Sequence, residues 1–166
     1  PWAQRTEDQL AFFRADHEQA AHPASLWDDN GRRLARLTFP ASGRGGWQEA
    51  KFTRPVPLTG GETYVASYHA PHGYAVSEYY FGDAPVTRGL LTMLADRADS
   101  PNGVYTYGAH PRFPTSHFRS SNYWIDVLFT SGGGVPVPAP TPAVTATPPA
   151  SPTPAPTVGS LSPPAT

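Results

Sequence analysis

Several groups of side chains in this sequence have types and spacings that bear on chemistry. His69-x-x-His72, with Glu78 and Asp83 downstream, offers the mixed nitrogen and oxygen donors of a metal site. The spacing argues against it. Two ligands three residues apart suit a helix face, whereas Pro71 and Gly73 force a turn, so solvated loop histidines are the preferred reading. Asp96-x-x-Asp99-x-x-Asn102-Gly103 gathers oxygen atoms of the kind calcium takes, but without EF-hand spacing. A structural calcium on Asp96, Asp99 and Asn102 therefore competes with a simpler turn in which Asp and Asn bond their own backbone, and the turn is preferred. Apart from that candidate calcium, no cofactor is expected.

Catalysis needs a nucleophile with a base and an orienting group, or two carboxylates facing each other across a cleft. No local motif supplies either. Ser67 before His69 follows strand alternation, and Glu49, Glu62, Glu78 and Asp126 are too scattered to be paired from sequence. The chain is accordingly read as not an enzyme. The remaining set is aromatic: Trp47, Tyr79, Tyr80, Tyr105 and Tyr107, with Phe81 and Trp124. Exposed rings of this kind stack on the apolar faces of sugars, which makes the first five a candidate ligand-binding set. Against this, a domain of this size needs several aromatics in its core, and most of these rings are expected there.

The elements that must position these residues read as short β-segments between turn signals, the pattern of a sandwich or barrel. Leu10 to Arg14 and Ala24 to Asp28 are the first candidates, and Asp28-Asp29-Asn30-Gly31 predicts a hairpin turn into Leu34 to Phe39. Trp47 to Thr53 alternates, placing Gln48, Ala50 and Phe52 on one face and Trp47, Glu49 and Lys51 on the other. Pro55 and Pro57 lack ladder donors and predict an edge before the Thr59-Gly60-Gly61-Glu62 turn. Thr63 to Ala70 and Tyr123 to Thr130 are the two strong strands, the second expected near the centre of a sheet. The long region between them predicts a helical turn at Gly89 to Ala95 and a short strand at Val104 to Tyr107. Irregular stretches of this length are often functional, so any binding site is expected there.

The chain has 166 residues, 12 basic and 13 acidic, for a net charge of −1. That balance lacks the positive field needed to bind phosphate backbones, which sets nucleic acid aside. There is no cysteine, which excludes disulfides and thiol chemistry. No apolar run approaches the roughly 18 residues of a membrane span, so no membrane insertion is expected. From Val135 onward the chain is nearly all Pro, Thr, Ala, Ser and Val and holds 11 of the 21 prolines. Such sequence favours an extended backbone of about 3.1 Å per residue, a spacer and not a core.

Six phrases in order carry a resemblance: Ala24-Ser25-Leu26-Trp27, Gly46-Trp47-Gln48, Tyr64 to Pro71, Asn102 to Gly108, Phe113-Pro114-Thr115 and Asn122 to Val127. Together, from about Leu10 to Thr130, they resemble the bacterial family called domain of unknown function 4082. The resemblance implies a β-sandwich module found beside Ig-like and carbohydrate-active or cell-surface domains in exported proteins, with no established activity.

The expected organisation is a remnant of a truncated N-terminal part over 1–9, a module over 10–131 and a Pro/Thr-rich linker over 132–166. The expected fold is all-β, an antiparallel β-sandwich of jelly-roll or Ig-like type with long loops, followed by an extended disordered tail. The leading functional expectation is a non-catalytic accessory module of a secreted or cell-surface bacterial protein, a candidate carbohydrate binder. Its expected partners are neighbouring Ig-like or carbohydrate-active domains and a polysaccharide. The alternatives are a purely structural Ig-like spacer and a hydrolase-associated domain with a weak site of its own.

Overall fold

Alternating apolar residues in β1 (Arg5–Arg14) and β2 (His22–Asp28) supply the centres of two three-stranded antiparallel sheets. The computed structural model describes residues 5–130, except 17, 83, 90, 98 and 99, together with 157–159. β2 runs through the Asp28–Gly31 turn into β3 (Arg33–Phe39), as the sequence predicts. Gly31 adopts a φ of 78°, and the Asp28 carboxylate accepts hydrogen bonds from the Asn30 and Arg32 backbone N–H groups and from the Arg32 side chain.

β4 (Gly46–Leu58) returns along β1, with the predicted alternation of exposed Trp47, Glu49 and Lys51 against more buried Gln48, Ala50 and Phe52. It is an edge strand. The pairing jumps from Lys51 opposite Gln9 to Val56 opposite Glu7, so Pro55 falls in the irregularity, where its missing donor breaks no ladder bond. β5 (Tyr64–Tyr68) completes the sheet ordered β3-β2-β5, and β11 (Ile125–Thr130) the sheet ordered β11-β1-β4.

The sheets face each other across one core. Leu10 and Phe12 of β1 meet Ala24 and Leu26 of β2, Leu37 and Phe39 of β3, and Phe52, Val56 and Leu58 of β4. Each large apolar side chain buried there contributes roughly 1.5–3 kcal/mol. The fold is thus the expected all-β sandwich, and no helix occurs among the described residues.

Between β5 and β11 run β6 (Tyr74–Val76), β7 (Val86–Arg88), β8 (Leu91–Met93), β9 (Val104–Tyr105) and β10 (Ser116–His117). β7 and β8 pair as a hairpin with Gly89 at a φ of 58°, which replaces the helical turn expected at Gly89 to Ala95. The Thr87 and Thr92 hydroxyls bond across it at 3.0 Å. β12 (Thr157–Gly159) pairs antiparallel with β6, so three residues of the Pro/Thr-rich region belong to a sheet. The rest of the expected extended tail lies outside the described residues.

One further expectation changes. β11 lies at a sheet edge, not at its centre, because among the described residues β1 alone pairs with it. β1 begins at Arg5 and pairs Thr6 and Glu7 with Pro57 and Val56, and residues 1–4 lie outside the described residues.

One end of the core is polar. Arg14 is fully buried, and its guanidinium donates to the carbonyls of Glu18, Ala20 and Pro40 at 3.4, 2.7 and 2.8 Å. His22 is also fully buried. Its Nδ1–H donates to the His69 carbonyl at 3.0 Å, which leaves Nε2 unprotonated and 3.8 Å from Glu18 Oε1.

Two outcomes are expected. Replacing Arg14 by Met leaves three carbonyls short of a donor and lowers stability by about 2–3 kcal/mol in urea unfolding at neutral pH. Burial, aided by the Arg14 cation and opposed by the His69 carbonyl and Glu18, holds the His22 pKa below its ordinary 6.5. The unfolded chain then takes up the proton first. Stability is flat above about pH 6.5 and falls as pH drops from there toward the folded-state value, and His22→Gln flattens that slope in urea titrations at several pH values.

Candidate functional site

β5 and β11 are edge strands on the same side of the sandwich, and the chain from His69 to Trp124 leaves from one and returns to the other. It arches over the side between them and encloses a cleft of about 1540 Å³. Tyr64, Ala66 and Tyr68 of β5 form one wall, Ile125 and Val127 of β11 the other, and Val104 to Pro111 contribute from the arch.

Two aromatic groups line the cleft. In the first, Tyr123 meets Tyr74 at 5.6 Å and Tyr105 at 6.3 Å between ring centroids, and Tyr105 meets Tyr107 at 5.3 Å. In the second, Trp124 meets Tyr80 at 5.4 Å and Trp47 at 6.3 Å. All these contacts are tilted or edge-on, the arrangement ring quadrupoles prefer. Tyr107 keeps 45 % of its surface exposed and Trp47 49 %, so each group ends in an open ring.

Polar contacts hold the arch. His69 Nε2 lies 3.0 Å from the Gly108 carbonyl and fixes the segment after Tyr107. The Tyr68 hydroxyl donates to the Tyr123 carbonyl at 3.0 Å, joining β5 to the approach to β11. Burial pushes the Tyr68, Tyr74 and Tyr123 phenols above their ordinary pKa, with neighbouring tyrosines adding to the effect. They present neutral hydroxyls throughout the physiological range. Trp124 sits at a φ of 52°, its N–H donating to Asn122 Oδ1 and its indole N–H to the Ser77 hydroxyl.

Asp96 ties the arch together from behind. Its Oδ1 accepts from the Asn102 N–H at 3.0 Å and its Oδ2 from the Ser120 hydroxyl at 2.8 Å, while Asn102 Oδ1 accepts from the Gly103 N–H at 2.7 Å. Only the Asn102 to Gly103 bond is local; Asp96 joins stretches that lie apart in the sequence. Of the calcium candidates, Asp96 and Asn102 meet in this set of bonds, and Asp99 lies outside the described residues. In the histidine set, Glu78 pairs with Arg119 at 2.8 Å, His72 is exposed, and Asp83 lies outside the described residues. Among the described residues no group of three or more His, Asp or Glu side chains is arranged to hold a metal.

Of the five candidate ligand-binding residues, the fold brings Trp47, Tyr80, Tyr105 and Tyr107 to the cleft. Tyr80 is half-buried, packed against Phe81 and Trp124. Tyr79 is 66 % exposed but lies outside the cleft lining. Tyr68 and Tyr123 were not among the candidates but line the cleft. Strand alternation identifies the face each occupies but not the gap it looks into.

The arch has one position where only glycine fits. Gly103 has a φ of 68°, and a Cβ there would collide with the backbone carbonyl of Ser121. Gly103→Ala is expected to lower stability by about 1–3 kcal/mol and to shift the near-ultraviolet circular dichroism of the tyrosines, because Tyr105 follows two residues later.

A family model described as "Domain of unknown function (DUF4082)" matches residues 7–125. No curated protein and no solved structure matches the chain.

Proposed function

The chain belongs to the family of domain of unknown function 4082, and from that premise we propose that it is a non-catalytic accessory module of a secreted or cell-surface multidomain protein, binding polysaccharide in the cleft between β5 and β11. One observation carries this reading: four aromatic residues separated in sequence, Trp47, Tyr80, Tyr105 and Tyr107, converge on one cleft, and two of them, Trp47 and Tyr107, stay about half exposed. A spacer has no need to keep an indole and a phenol half in water, where each forgoes part of the stabilisation that burial gives.

The cleft suits a neutral, hydroxyl-rich ligand. Open rings offer stacking faces, and the tyrosine hydroxyls both donate and accept. Its charged lining residues are mixed in sign, with Arg88 and Arg112 against Glu62 and Asp126, so no net field selects a strongly charged polymer. The Pro/Thr-rich region would connect such a module to its neighbours.

The competing spacer reading draws on the ring-to-ring contacts, since Tyr74, Tyr105 and Tyr123 satisfy one another as a small core of their own. Binding separates the two. Affinity electrophoresis through a panel of neutral and acidic polysaccharides is expected to retard the chain on at least one neutral polymer. Tyr107→Ala and Trp47→Ala are each expected to weaken that retention about tenfold, the equivalent of one lost stacking contact. Free migration in every polymer leaves the spacer reading standing.

A further inference from the structure

One fully buried side chain beside the cleft has a choice of partners. The His22 ring lies 4.8 Å from Phe12 of β1 and 5.9 Å from Tyr68 of β5 between centroids. Four titratable residues face it. Arg14 is a cation stacked on the same Phe12 ring, Glu18 is a buried carboxylate in the turn after β1, Tyr68 is kept protonated by burial, and His69 presents its backbone carbonyl, its ring being turned to Gly108. His22 makes one bond where its two nitrogens offer two. Nδ1–H donates to the His69 carbonyl at 3.0 Å, while Nε2 stops 3.8 Å from Glu18 Oε1 and has no hydrogen-bond partner among the described residues.

While the ring is neutral nothing draws it to Glu18, because an unprotonated Nε2 and a carboxylate oxygen are both acceptors. A second proton changes that. The imidazolium is attracted by Glu18 and repelled by Arg14, and a hydrogen bond to Oε1 requires the gap to close by roughly 1 Å. The two nitrogens point to opposite sides of the ring, so this movement draws Nδ1 off the His69 carbonyl, beyond hydrogen-bond reach. That carbonyl belongs to the peptide group between His69 and Ala70, where the arch leaves β5, and His69, Ala70 and Pro71 all line the cleft. The change stays local, since the His69 N–H still donates to the Pro23 carbonyl at 2.8 Å.

We propose that His22 is an acid-sensitive latch on the cleft: protonation trades its bond with the His69 carbonyl for one with Glu18 and releases the start of the arch. The resting state is closed. Burial holds His22 below the ordinary histidine range, so at neutral pH the ring is neutral and the His69 bond is made; as pH falls through the folded-state value the ring charges and the latch opens. His69 cannot serve in its place, because its Nε2–H already donates to the Gly108 carbonyl and a proton added at Nδ1 leaves that bond intact. The consequence, retention of ligand at neutral pH and release in acid, rests on the polysaccharide reading of the cleft. The latch itself does not.

The Ala70 amide shares a peptide group with the carbonyl and reports on it directly. In the isotope-labelled chain without ligand, its signal is expected to shift in one step as pH falls from about 8 to 5, together with the His22 ring carbons, while the core amide of Leu26 stays in place. His22→Asn keeps a donor near the position of Nδ1 but cannot titrate, and should remove the step. Glu18→Gln keeps an acceptor for the Ala20 N–H without the charge; it should shrink the step and move it to lower pH, because the carboxylate favours the imidazolium. An Ala70 signal that is constant over this range overturns the proposal, as does one that follows the His69 ring or is lost together with Leu26 as the chain unfolds. Affinity electrophoresis in a neutral polysaccharide that retains the chain checks the consequence. Retention should weaken through the same step and be independent of pH in His22→Asn; unchanged retention through the step overturns the link to binding. Absence of retention at every pH counts against the polysaccharide reading alone, with the latch decided by Ala70.

Discussion

Both sheets close on Phe12. Its ring lies 4.5 Å from Phe39, 4.8 Å from His22 and 4.9 Å from Tyr68 between centroids, so one side chain of β1 touches β3, β2 and β5 at once. Each aromatic contact adds about 0.5–1.5 kcal/mol to the burial of the rings themselves. Tyr68 carries the constraint outward, because its ring packs on Phe12 while its hydroxyl reaches the Tyr123 carbonyl. The inner wall of the cleft is therefore positioned by the core and not by the loops above it.

The same centre explains the polar groups at the end of the sandwich. The Arg14 guanidinium stacks 5.2 Å from the Phe12 ring and gathers carbonyls from the turn after β1 and from the end of β3. His22 then links β2 to the start of the arch through His69, whose other contact is with Gly108. Two hydrogen bonds thus run from the buried His22, through His69, to the segment carrying Tyr107. Inside a protein such bonds are stronger than in water, so they fix where that segment sits.

The arch is irregular, yet it is built by specific bonds. Asp96 bridges Asn102 and Ser120, Ser77 pairs with Asn122 in both directions, and Gly103 lies where no side chain fits. These contacts join stretches that the sequence separates, and together they hold Trp124, Tyr79, Arg119 and Ser120 at positive φ. Strain of this kind persists only where the surroundings over-determine it. Here it leaves Tyr79 exposed and sets Trp124 in the cleft lining, packed on Tyr80 and Trp47.

Local chemistry in the sequence was sufficient for the parts of the fold that depend on neighbours along the chain. Asp28 to Gly31 makes a hairpin because its residues supply positive φ and side-chain acceptors, the alternation from Trp47 to Phe52 follows the strand repeat, and the family match runs from residue 7 to 125. The Asn102-Gly103 turn was legible for the same reason. Edge or centre was not legible for β11, since its partner among the described residues is β1, far away in the sequence. Nor was the burial of Arg14, a residue type that is usually exposed, because its carbonyl partners come from three separate positions. Residue type told which rings could meet a ligand; only the closure of the two sheets decided which of them share a cleft, because that depends on contacts between strands that sequence spacing does not encode.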